Sequence, residues 1–345
     1  MSESHAPARG AATLHDVARE AGVSLATASR VLNGSTRKVA ESYRERVEAA
    51  AEKLGYTANL AAQATARGNT AMVALLVADI ADPYFGELAA GVGRGADETG
   101  LMMTIGITDR DEQREARLVR ALRGQRPRGL ILASSRTAGP DAAGLAAELE
   151  TFAGIGRVVS VGEGAPVERT VSIDNRGGAA ALGAELARIG YRDAVVVAAA
   201  EGVRLSDDRV AGFTEGFTAG GGSPPAVHHA GFSRDAGFEA ARELLSAGSL
   251  SDGTVIFGVT DVIAIGVMAA LRDAGRDVGR EVAVAGFDDI AAARDIHPGL
   301  TTVRVPLEEL GHRALRAAVD TEWTPDADPA LSLEVVLRGS TPSRG

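Results

Sequence analysis

The chain has 345 residues, a net charge of −10, no cysteine and one tryptophan. This length predicts two or three domains, and an apolar content of 45% is typical of globular proteins rather than disordered chains. The lack of cysteine excludes disulfides, thiolate nucleophiles and cysteine-ligated metal sites. No apolar run approaches the roughly 20 residues of a membrane span. Residues 1–12 lack the apolar stretch of a signal peptide, which predicts a cytoplasmic protein.

The charge is divided unevenly along the chain. Residues 1–70 carry nine Lys and Arg against seven Asp and Glu, a balance of +2. The remaining residues carry 27 basic against 39 acidic side chains, a balance of −12. The negative total therefore does not exclude a nucleic-acid partner for the N-terminal part, although a balance of +2 is by itself compatible with chance.

The first predicted helix begins after Thr13, which fits a capping box with Asp16, and ends at Gly22. Apolar residues recur along it at the spacing of one helical face, namely Leu14, Val17, Ala18 and Ala21. A tight turn then leads to Ser24, which is placed to cap a second helix.

The second predicted helix has two different faces and stops at Asn33-Gly34. Its inward face consists of Ala28, Val31 and Leu32. Its outer face consists of Leu25, Ala26, Ser29 and Arg30. A third helix is predicted from about Ala40 to Leu54, closed by Gly55, with an inward stripe of Tyr43, Val47, Ala50 and Leu54. This order is the pattern of a helix-turn-helix, whose second helix enters the DNA major groove, but periodicity alone favours the alternative of any small helical bundle.

The residue string itself carries a family resemblance. TLHDVAREAGVSLATASRVLNG, at residues 13–34, resembles the headpiece of the lactose-repressor (LacI/GalR) family of transcription regulators. The resemblance continues without a gap through VEAAAEKLGY at residues 47–56 and reaches Asn59. It implies a helix-turn-helix headpiece over residues 12–57, a hinge helix or linker over 58–69, and a ligand-binding and dimerisation core over 70–345.

The resemblance also implies DNA-contact roles. Base edges would be read by Leu25, Ala26 and Arg30. Backbone contacts would come from Thr13, Ser24, Thr27, Ser29 and Asn33. The residue types agree, because arginine can donate to guanine O6 and N7 while leucine and alanine offer apolar contact, for instance to a thymine methyl group. Hydroxyl groups position a protein on DNA without specifying sequence. A core role for Leu25 is the alternative, but Ala28, Val31 and Leu32 already form the inward face of this helix.

The segment over residues 58–69 is short and alanine-rich, and about ten such residues form only a marginal helix in water. By resemblance it is a hinge helix that orders on operator DNA and enters the minor groove as a pair. The minor-groove residues would be Asn59, Ala62, Gln63 and Thr65. The family usually has a leucine wedge where this chain has Thr65, and a β-branched hydroxyl is a poor apolar wedge. We therefore expect weaker or different intercalation. A plain interdomain linker is the alternative.

From Met72 onward, short apolar runs alternate with helical patterns, which predicts parallel sheets covered on both faces. The predicted strands are Met72–Ala78, Leu101–Ile107, Gly129–Ala133, Val158–Val161, Val171–Ile173, Val195–Ala199, Val255–Phe257, Val282–Gly286 and Leu333–Leu337. The predicted helices include Phe85–Thr99, Glu112–Gly124, Arg176–Ile189, Arg234–Ala247, Val262–Ala274 and Leu307–Val319. About 275 residues suit two such subdomains.

Short phrases in a fixed order make this part resemble the core of the same family. They are DPYF at 82–85, IDN at 173–175, RVAGF at 209–213, TD at 260–261, GFDD at 286–289, PGLTTV at 298–303 and RGST at 338–341. The implied fold class is an N-terminal all-α helix-turn-helix headpiece followed by an α/β periplasmic-binding-protein-like core of two doubly wound parallel-sheet subdomains. The N-subdomain is expected at about 70–172 plus 303–325, and the C-subdomain at about 173–302 plus 326–341.

In such a core a ligand lies in the cleft at the carboxyl ends of the strands. The resemblance implies effector contacts from Tyr84, Phe85, Asp174, Arg204, Ser206, Arg209, Phe232 and Asp261. These types suit a sugar, because carboxylates accept from hydroxyls, arginine donates in a fork and rings stack on a sugar face. Alternatives remain: Asp261 as a helix-start residue, Phe232 as core, Arg209 on the surface, and Asp288-Asp289 as a structural turn rather than a metal site.

Other chemistries are poorly supported. The GVGRG run at residues 91–95 mimics a dinucleotide fingerprint, but it lies inside a predicted helix rather than at a strand-to-helix turn. Ser206, Asp207 and His228 lack a nucleophile-elbow motif, and His228-His229 is too little for a metal site. The sequence therefore predicts no catalytic residues, no cofactor and no metal.

The predicted function is that of a sequence-specific transcriptional regulator, most often a repressor in this family. A small effector in the cleft, such as a sugar, would control its affinity for a pseudo-palindromic operator. The chain would pair through its core and would not bind a membrane. No heptad tail follows Leu337, which favours a homodimer, with a tetramer as the alternative. Two other classes share such a core: a transporter's solute-binding protein, which should have a signal segment, and a sugar- or nucleoside-processing enzyme, which needs an acid/base constellation.

Overall fold

The computed structural model describes residues 12–32, 39–56, 70–133, 142–162, 167–325 and 331–344. The chain divides into two compact units, Met1–Thr70 and Ala71–Gly345. Within the described ranges, no helix is long and apolar enough to cross a membrane.

In the first unit, the described residues form three helices: α1 (Leu14–Ala21), α2 (Leu25–Leu32) and α3 (Glu41–Leu54). The predicted capping box is confirmed, because the Asp16 amide donates to Thr13 Oγ1 (3.3 Å) while the Thr13 amide donates to the Asp16 carboxylate (3.0 Å). Gly22 and Gly55 end α1 and α3 in the left-handed conformation, as predicted. Small side chains form the core: Val17, Ala18, Ala21, Ala28, Val47, Ala50 and Ala51.

The prediction that Tyr43 belongs to the inward stripe of α3 is wrong. Its side chain is 45% exposed, and the buried stripe begins one turn later, at Val47. Arg46 takes the place next to α1, where its guanidinium donates to the Ala21 carbonyl and lies 5.8 Å from the Tyr43 ring centroid. The aromatic ring is therefore left on the surface of this unit.

In the second unit, a five-stranded parallel sheet has the order β2-β1-β3-β4-β5. Its strands are β1 (Met72–Val77), β2 (Met102–Ile107), β3 (Gly129–Ala133), β4 (Arg157–Val161) and β5 (Arg169–Val171), and its helices are α4 (Pro83–Glu98), α5 (Glu112–Gln125) and α6 (Ala142–Ala153). The inner strands β1 and β3 are almost wholly buried. They read as continuous apolar runs because helices cover both faces of a parallel sheet.

A second parallel sheet has the order β7-β6-β8-β9. Its strands are β6 (Ala194–Ala198), β7 (Ala226–His229), β8 (Val255–Gly258) and β9 (Ala283–Ala285), with helices α7 (Asn175–Arg188), α8 (Arg204–Ala219), α9 (Arg234–Ser246), α10 (Asp261–Asp273) and α11 (Ala291–Asp295). The two predicted parallel α/β sheets are thus present. The strand β7 was not predicted, because an exposed edge strand reading AVHH has no apolar run.

Antiparallel strands β10 (Thr302–Arg304) and β11 (Glu334–Val336) pair with each other, and α12 (Leu307–Val319) lies between them in the chain. Helix α12 packs closely on α4, because a Cβ atom on Gly91 would lie 1.9 Å from the Glu308 carbonyl oxygen. The GVGRG run therefore lies inside α4, as predicted, and its Gly91 permits helix packing rather than phosphate binding.

Candidate DNA-binding face and effector cleft

The outer face of α2 is exposed to solvent. Leu25 is 44% exposed, and Ala26 and Arg30 are also exposed, whereas Ala28 on the opposite face is fully buried. A 44% exposed leucine in an eight-residue helix contributes little to this unit's core, so the alternative of a core role for Leu25 is not supported. The face offers one arginine fork and a small apolar patch.

Hydroxyl groups cluster where α2 begins. Ser24 Oγ accepts from the Thr27 amide (3.1 Å) and lies 2.8 Å from Thr27 Oγ1. Ser29 is half-buried on the same helix. Thr13 caps α1, and its hydrogen bonds lower the pKa of Asp16. The remaining predicted DNA contacts lie outside the described residues: Asn33, Asn59, Ala62, Gln63 and Thr65.

In the second unit, Arg209 is a fully buried centre of hydrogen bonding. From α8, its Nε donates to Asn175 Oδ1 (2.9 Å), its Nη1 to the Val259 carbonyl (2.7 Å) and its Nη2 to Asp288 Oδ1 (2.9 Å). The guanidinium carbon lies 3.7 Å from the Phe287 ring centroid. The alternative of a surface arginine is therefore wrong. Arg209 joins segments that follow three different strands.

Asp261 begins α10, as the helix-start interpretation predicted, and is also fully buried. Its Oδ2 accepts from the Ile290 amide (2.9 Å) and its Oδ1 from the Thr302 hydroxyl (2.6 Å). Burial, together with the neighbouring Asp288, raises the pKa of Asp261 well above its usual value. This carboxylate holds the loop after β9 in place.

Asp288 lies in a turn after β9, where it has φ +119° and Asp289 has φ +58°. The predicted structural turn is present, but Asp288 is also the acidic partner of Arg209, a role that sequence reasoning missed. Burial raises the pKa of Asp288 to about 7, even though Arg209 favours the charged form. Its position after a buried strand was the available signal, since polar residues there point into the cleft of such folds.

The five-stranded sheet contributes Tyr84 and Phe85 at the start of α4, where Asp82 accepts from the Tyr84 amide (3.0 Å). The two rings meet edge to face with centroids 5.0 Å apart. Phe85 is 5% exposed and packs in the core, whereas Tyr84 is half-buried. Burial raises the pKa of Tyr84, and the charge of Asp288 adds to the shift. Tyr84 therefore lies near the Arg209–Asp288 pair.

Three other predicted effector residues have local partners. Asp174 is exposed and caps α7 by accepting from the Gly177 amide (2.8 Å). Ser206 is buried and its Oγ accepts from the Ala199 amide (3.0 Å). The Arg204 side chain is 62% exposed and lies 3.9 Å from Asp208 Oδ2. The structure thus brings Tyr84 and Asp261 near Asp288, the partner of Arg209, while Arg204 lies on the surface.

Two contacts join segments of the two sheets. The Arg110 guanidinium carbon, after β2, lies 4.8 Å from the ring centroid of Phe232, which follows β7. Glu87 Oε1, on α4, accepts from the Ala291 amide (3.1 Å), at the start of α11. Neither Arg110 nor Glu87 was predicted, because a contact across a cleft leaves no local pattern. Among the described residues, no group of three His, Cys, Asp or Glu side chains could hold a metal ion.

An exposed helix-turn-helix face, together with a core of two parallel α/β sheets that has buried polar groups after its strands, is the arrangement of a DNA-binding regulator. Comparison with known proteins gives the family. Residues 13–59 match the family described as "Bacterial regulatory proteins, lacI family", and residues 184–341 match "Periplasmic binding protein-like domain". The chain belongs to the lacI family of bacterial regulatory proteins and is a helix-turn-helix transcriptional regulator.

Relatives that align over nearly the whole chain support its assignment to the lacI family. The chain is 32% identical over 339 residues to the transcriptional regulator GalR of Escherichia coli K12, which covers 96% of this chain and 97% of GalR. It is 32% identical over 340 residues to CelR of Thermobifida fusca, covering 94% and 96% of the two chains.

Solved structures confirm the predicted fold class. A CelR–cellobiose complex is 31% identical, with a TM-score of 0.68 over 95% of this chain and 99% of that one. A lac repressor dimer bound to operator and the anti-inducer ONPF is 24% identical, with a TM-score of 0.81 over 96% and 99%. At 24% identity, the similarity to the lac repressor shows only that the fold is shared.

Proposed function

We propose that the protein is a repressor that binds a pseudo-palindromic operator as a homodimer and responds to a sugar in the cleft. The observation that carries the effector part is the buried Arg209 network. A preformed set of donors and acceptors with Tyr84 near it, and the Phe232 ring on the same sheet, suit a ligand that offers both hydroxyl groups and an apolar face. The similar CelR structure contains cellobiose, which supports a sugar.

The recognition face for DNA is assigned to Leu25, Ala26 and Arg30, which would contact base edges in the major groove. The backbone contacts are assigned to Thr13, Ser24, Thr27, Ser29 and Asn33, and the minor-groove contacts to Asn59, Ala62, Gln63 and Thr65. The exposure of the α2 outer face supports the first assignment. The proposed division places the headpiece at 12–57, the hinge at 58–69 and the core at 70–345.

The effector contacts are assigned to Tyr84, Phe85, Asp174, Arg204, Ser206, Arg209, Phe232 and Asp261, with Asp288 added from its bond to Arg209. The N-subdomain is assigned to about 70–172 plus 303–325, and the C-subdomain to about 173–302 plus 326–341. An effector that binds one arrangement of these subdomains better shifts DNA affinity by that differential affinity and no more.

Pairing through the core is supported by apolar side chains on two edge strands. On β2, Met102 is 62% exposed and Ile105 is 39% exposed, and on β7 Val227 is 40% exposed. Exposed edge strands with apolar side chains are prone to association. We infer that this surface is covered in a dimer, and that the protein acts in the cytoplasm, alongside its DNA, without catalysing a reaction.

The DNA part is tested by selecting binding sites from random duplexes and measuring gel shifts. We expect a saturable, sequence-dependent shift, a two-fold symmetric consensus, and relaxed specificity at one position for Arg30→Ala, at a cost of about 1–3 kcal/mol. Arg242→Ala, on α9, is the control. Failure to obtain a sequence-dependent shift with or without sugar would refute the DNA-binding proposal.

The effector part is tested by thermal shift and calorimetry with cellobiose, ribose and other neutral sugars. A ligand that binds only the folded state raises the melting temperature in a concentration-dependent way. Arg209→Lys keeps the charge but loses the fork, so we expect it to lose sugar binding while operator binding without sugar is retained. Sugar dependence of Arg209→Lys equal to that of the original chain would contradict the site.

A further inference from the structure

The Phe232 ring has a face covered by a side chain from the opposite side of the cleft. Phe232 is half-buried and packs against the hydrophobic core. Its ring is also approached by the Arg110 guanidinium, whose carbon lies 4.8 Å from the ring centroid. A guanidinium at this distance is attracted by the ring's electrons. The cation therefore occupies a surface of the ring that a sugar could otherwise contact.

Arg110 is held towards the cleft by its backbone. The amides of Thr108 and Asp109 donate to the carbonyls of Val77 and Ala78 (both 2.9 Å), which extends the pairing of β2 with β1. Asp109 and Arg110 then have φ values of +53° and +58°. Two consecutive non-glycine residues in the left-handed region are unfavourable, and such strain is concentrated at binding and switching sites.

Carboxylates beside Arg110 offer a second position for its charge. Burial lowers the pKa of the Arg110 guanidinium, and the charges of Asp82 and Asp79, both after β1, oppose this shift by favouring the charged form. Asp82 already caps α4 and so has a fixed position. If the guanidinium leaves the ring, these acidic groups can still stabilise it, so its displacement does not strand a cation in an apolar site.

The second bridging contact lies over the opposite edge of the four-stranded sheet. Phe232 follows the edge strand β7, whereas Ala291, which donates to Glu87, follows the other edge strand, β9. The two contacts are therefore separated by a sheet about 14 Å wide. Arg209, after β6, and Asp261, after β8, come from the strands between them. The bridging contacts thus bracket the buried polar network.

We propose that Arg110 is an internal competitor of the effector: its guanidinium covers the Phe232 ring and helps hold the cleft closed until a sugar displaces it. The proposal rests on the sugar-binding function argued above. A sugar's apolar face and a guanidinium both use the face of an aromatic ring, so a sugar can stack on the face that Arg110 covers only by displacing the guanidinium. Arg110 then sets how tightly a sugar binds, although the bound sugar does not require it.

The closing role is tested by the distance between two spin labels. The chain has no cysteine, so Ala121→Cys on α5 and Ser246→Cys on α9 provide unique labelling positions, both exposed. Labelled chain is diluted with unlabelled chain, so that only intrachain distances contribute. Without sugar, we expect Arg110→Ala to shift or broaden the distance distribution towards longer values. Arg117→Ala, an exposed arginine on α5, should leave it unchanged. An unchanged distribution in Arg110→Ala overturns the proposal.

The competing role is tested by titrating cellobiose and ribose into the same variants. We expect Arg110→Ala to bind sugar roughly 2- to 5-fold more tightly than the original chain, as loss of a partly exposed cation–π contact implies. Weaker binding by Arg110→Ala would show that Arg110 contacts the sugar, which overturns the proposal. If neither chain binds these sugars, the sugar-binding function fails instead, and the label distances alone decide whether Arg110 closes the cleft.

Discussion

The outer face of α2, proposed to read DNA, and the cleft around Arg209 expose their side chains to opposite extents. Leu25 is 44% exposed and Arg30 is exposed, whereas Arg209 is fully buried and its guanidinium donates to three protein acceptors. A surface that docks on DNA needs side chains that can meet the partner with little rearrangement of the fold. A buried cation needs partners of its own before any ligand arrives.

The difference implies that the same kind of substitution affects the two regions differently. A change in the cleft removes internal partners and lowers the stability of the core. A change on the outer face of α2, if this face reads DNA as proposed, should remove contacts only when DNA is bound. Substitutions on α2 should therefore affect DNA binding without affecting folding stability. Substitutions in the cleft should affect ligand binding and folding stability together.

The largest effect is expected for Arg209→Ala. It leaves Asp288 and Asn175 without their buried donor, and above about pH 7, where Asp288 is ionised, breaking a buried ion pair on one side costs about 3–5 kcal/mol. Chemical denaturation should show this loss in the unfolding of the core, whereas Arg242→Ala on α9, 61% exposed beside Glu239, should change it by less than about 0.5 kcal/mol. Equal stability of Arg209→Ala and the original chain would remove the contrast between the two regions.

The pH dependence of core stability should reveal Asp288. Because its pKa is raised to about 7, the folded state binds a proton that the unfolded chain releases near pH 4. Stability therefore falls as pH rises from about 4 to about 7 and is unaffected by this group above 7. Asp261 acts in the same direction.

Asp288→Asn isolates that contribution. Asparagine keeps an acceptor for Arg209 and has nearly the same shape as aspartate, so it should keep the backbone in which residue 288 has φ +119°. We expect the stability of the variant to fall less steeply between pH 4 and 7, by roughly 1 kcal/mol per pH unit in the steepest part. Unfolding midpoints at several pH values measure the two slopes. Parallel slopes would mean that Asp288 is ionised throughout this range.

In the first unit, Thr13→Ala should have a smaller effect. It removes the hydroxyl that accepts from the Asp16 amide, and loss of such a cap costs about 1 kcal/mol. Circular dichroism measures this loss as a shift in the unfolding transition of residues 1–70. Thr13→Ser keeps the hydroxyl and should behave like the original chain. If Thr13→Ala has no effect on stability, the capping box contributes nothing to this unit.

The sequence predicted features that depend on near neighbours in the chain. Thr13 with Asp16, the helix ends at Gly22 and Gly55, and the buried strands β1 and β3 each have local patterns. Tyr43 was misplaced because Arg46 outcompetes it for the position beside α1, which periodicity does not show. The partners of Arg209, and the contacts of Arg110 and Glu87, depend on segments far apart in the chain. The edge strand β7 is exposed, and so it lacked the apolar run that identified the buried strands.

Leu25→Ala should give the smallest change in folding stability. It therefore gives the clearest contrast with the substitutions in the cleft. Its side chain is 44% exposed, so truncation should alter unfolding by less than about 0.5 kcal/mol, and alanine's higher helix propensity offsets part of the loss. On the selected operator, lost apolar contact should weaken binding several-fold and reduce preference at one base pair, as gel shifts with single-base variants would show. Loss of folding stability without loss of operator affinity would place Leu25 in the core and reverse the distinction drawn for α2.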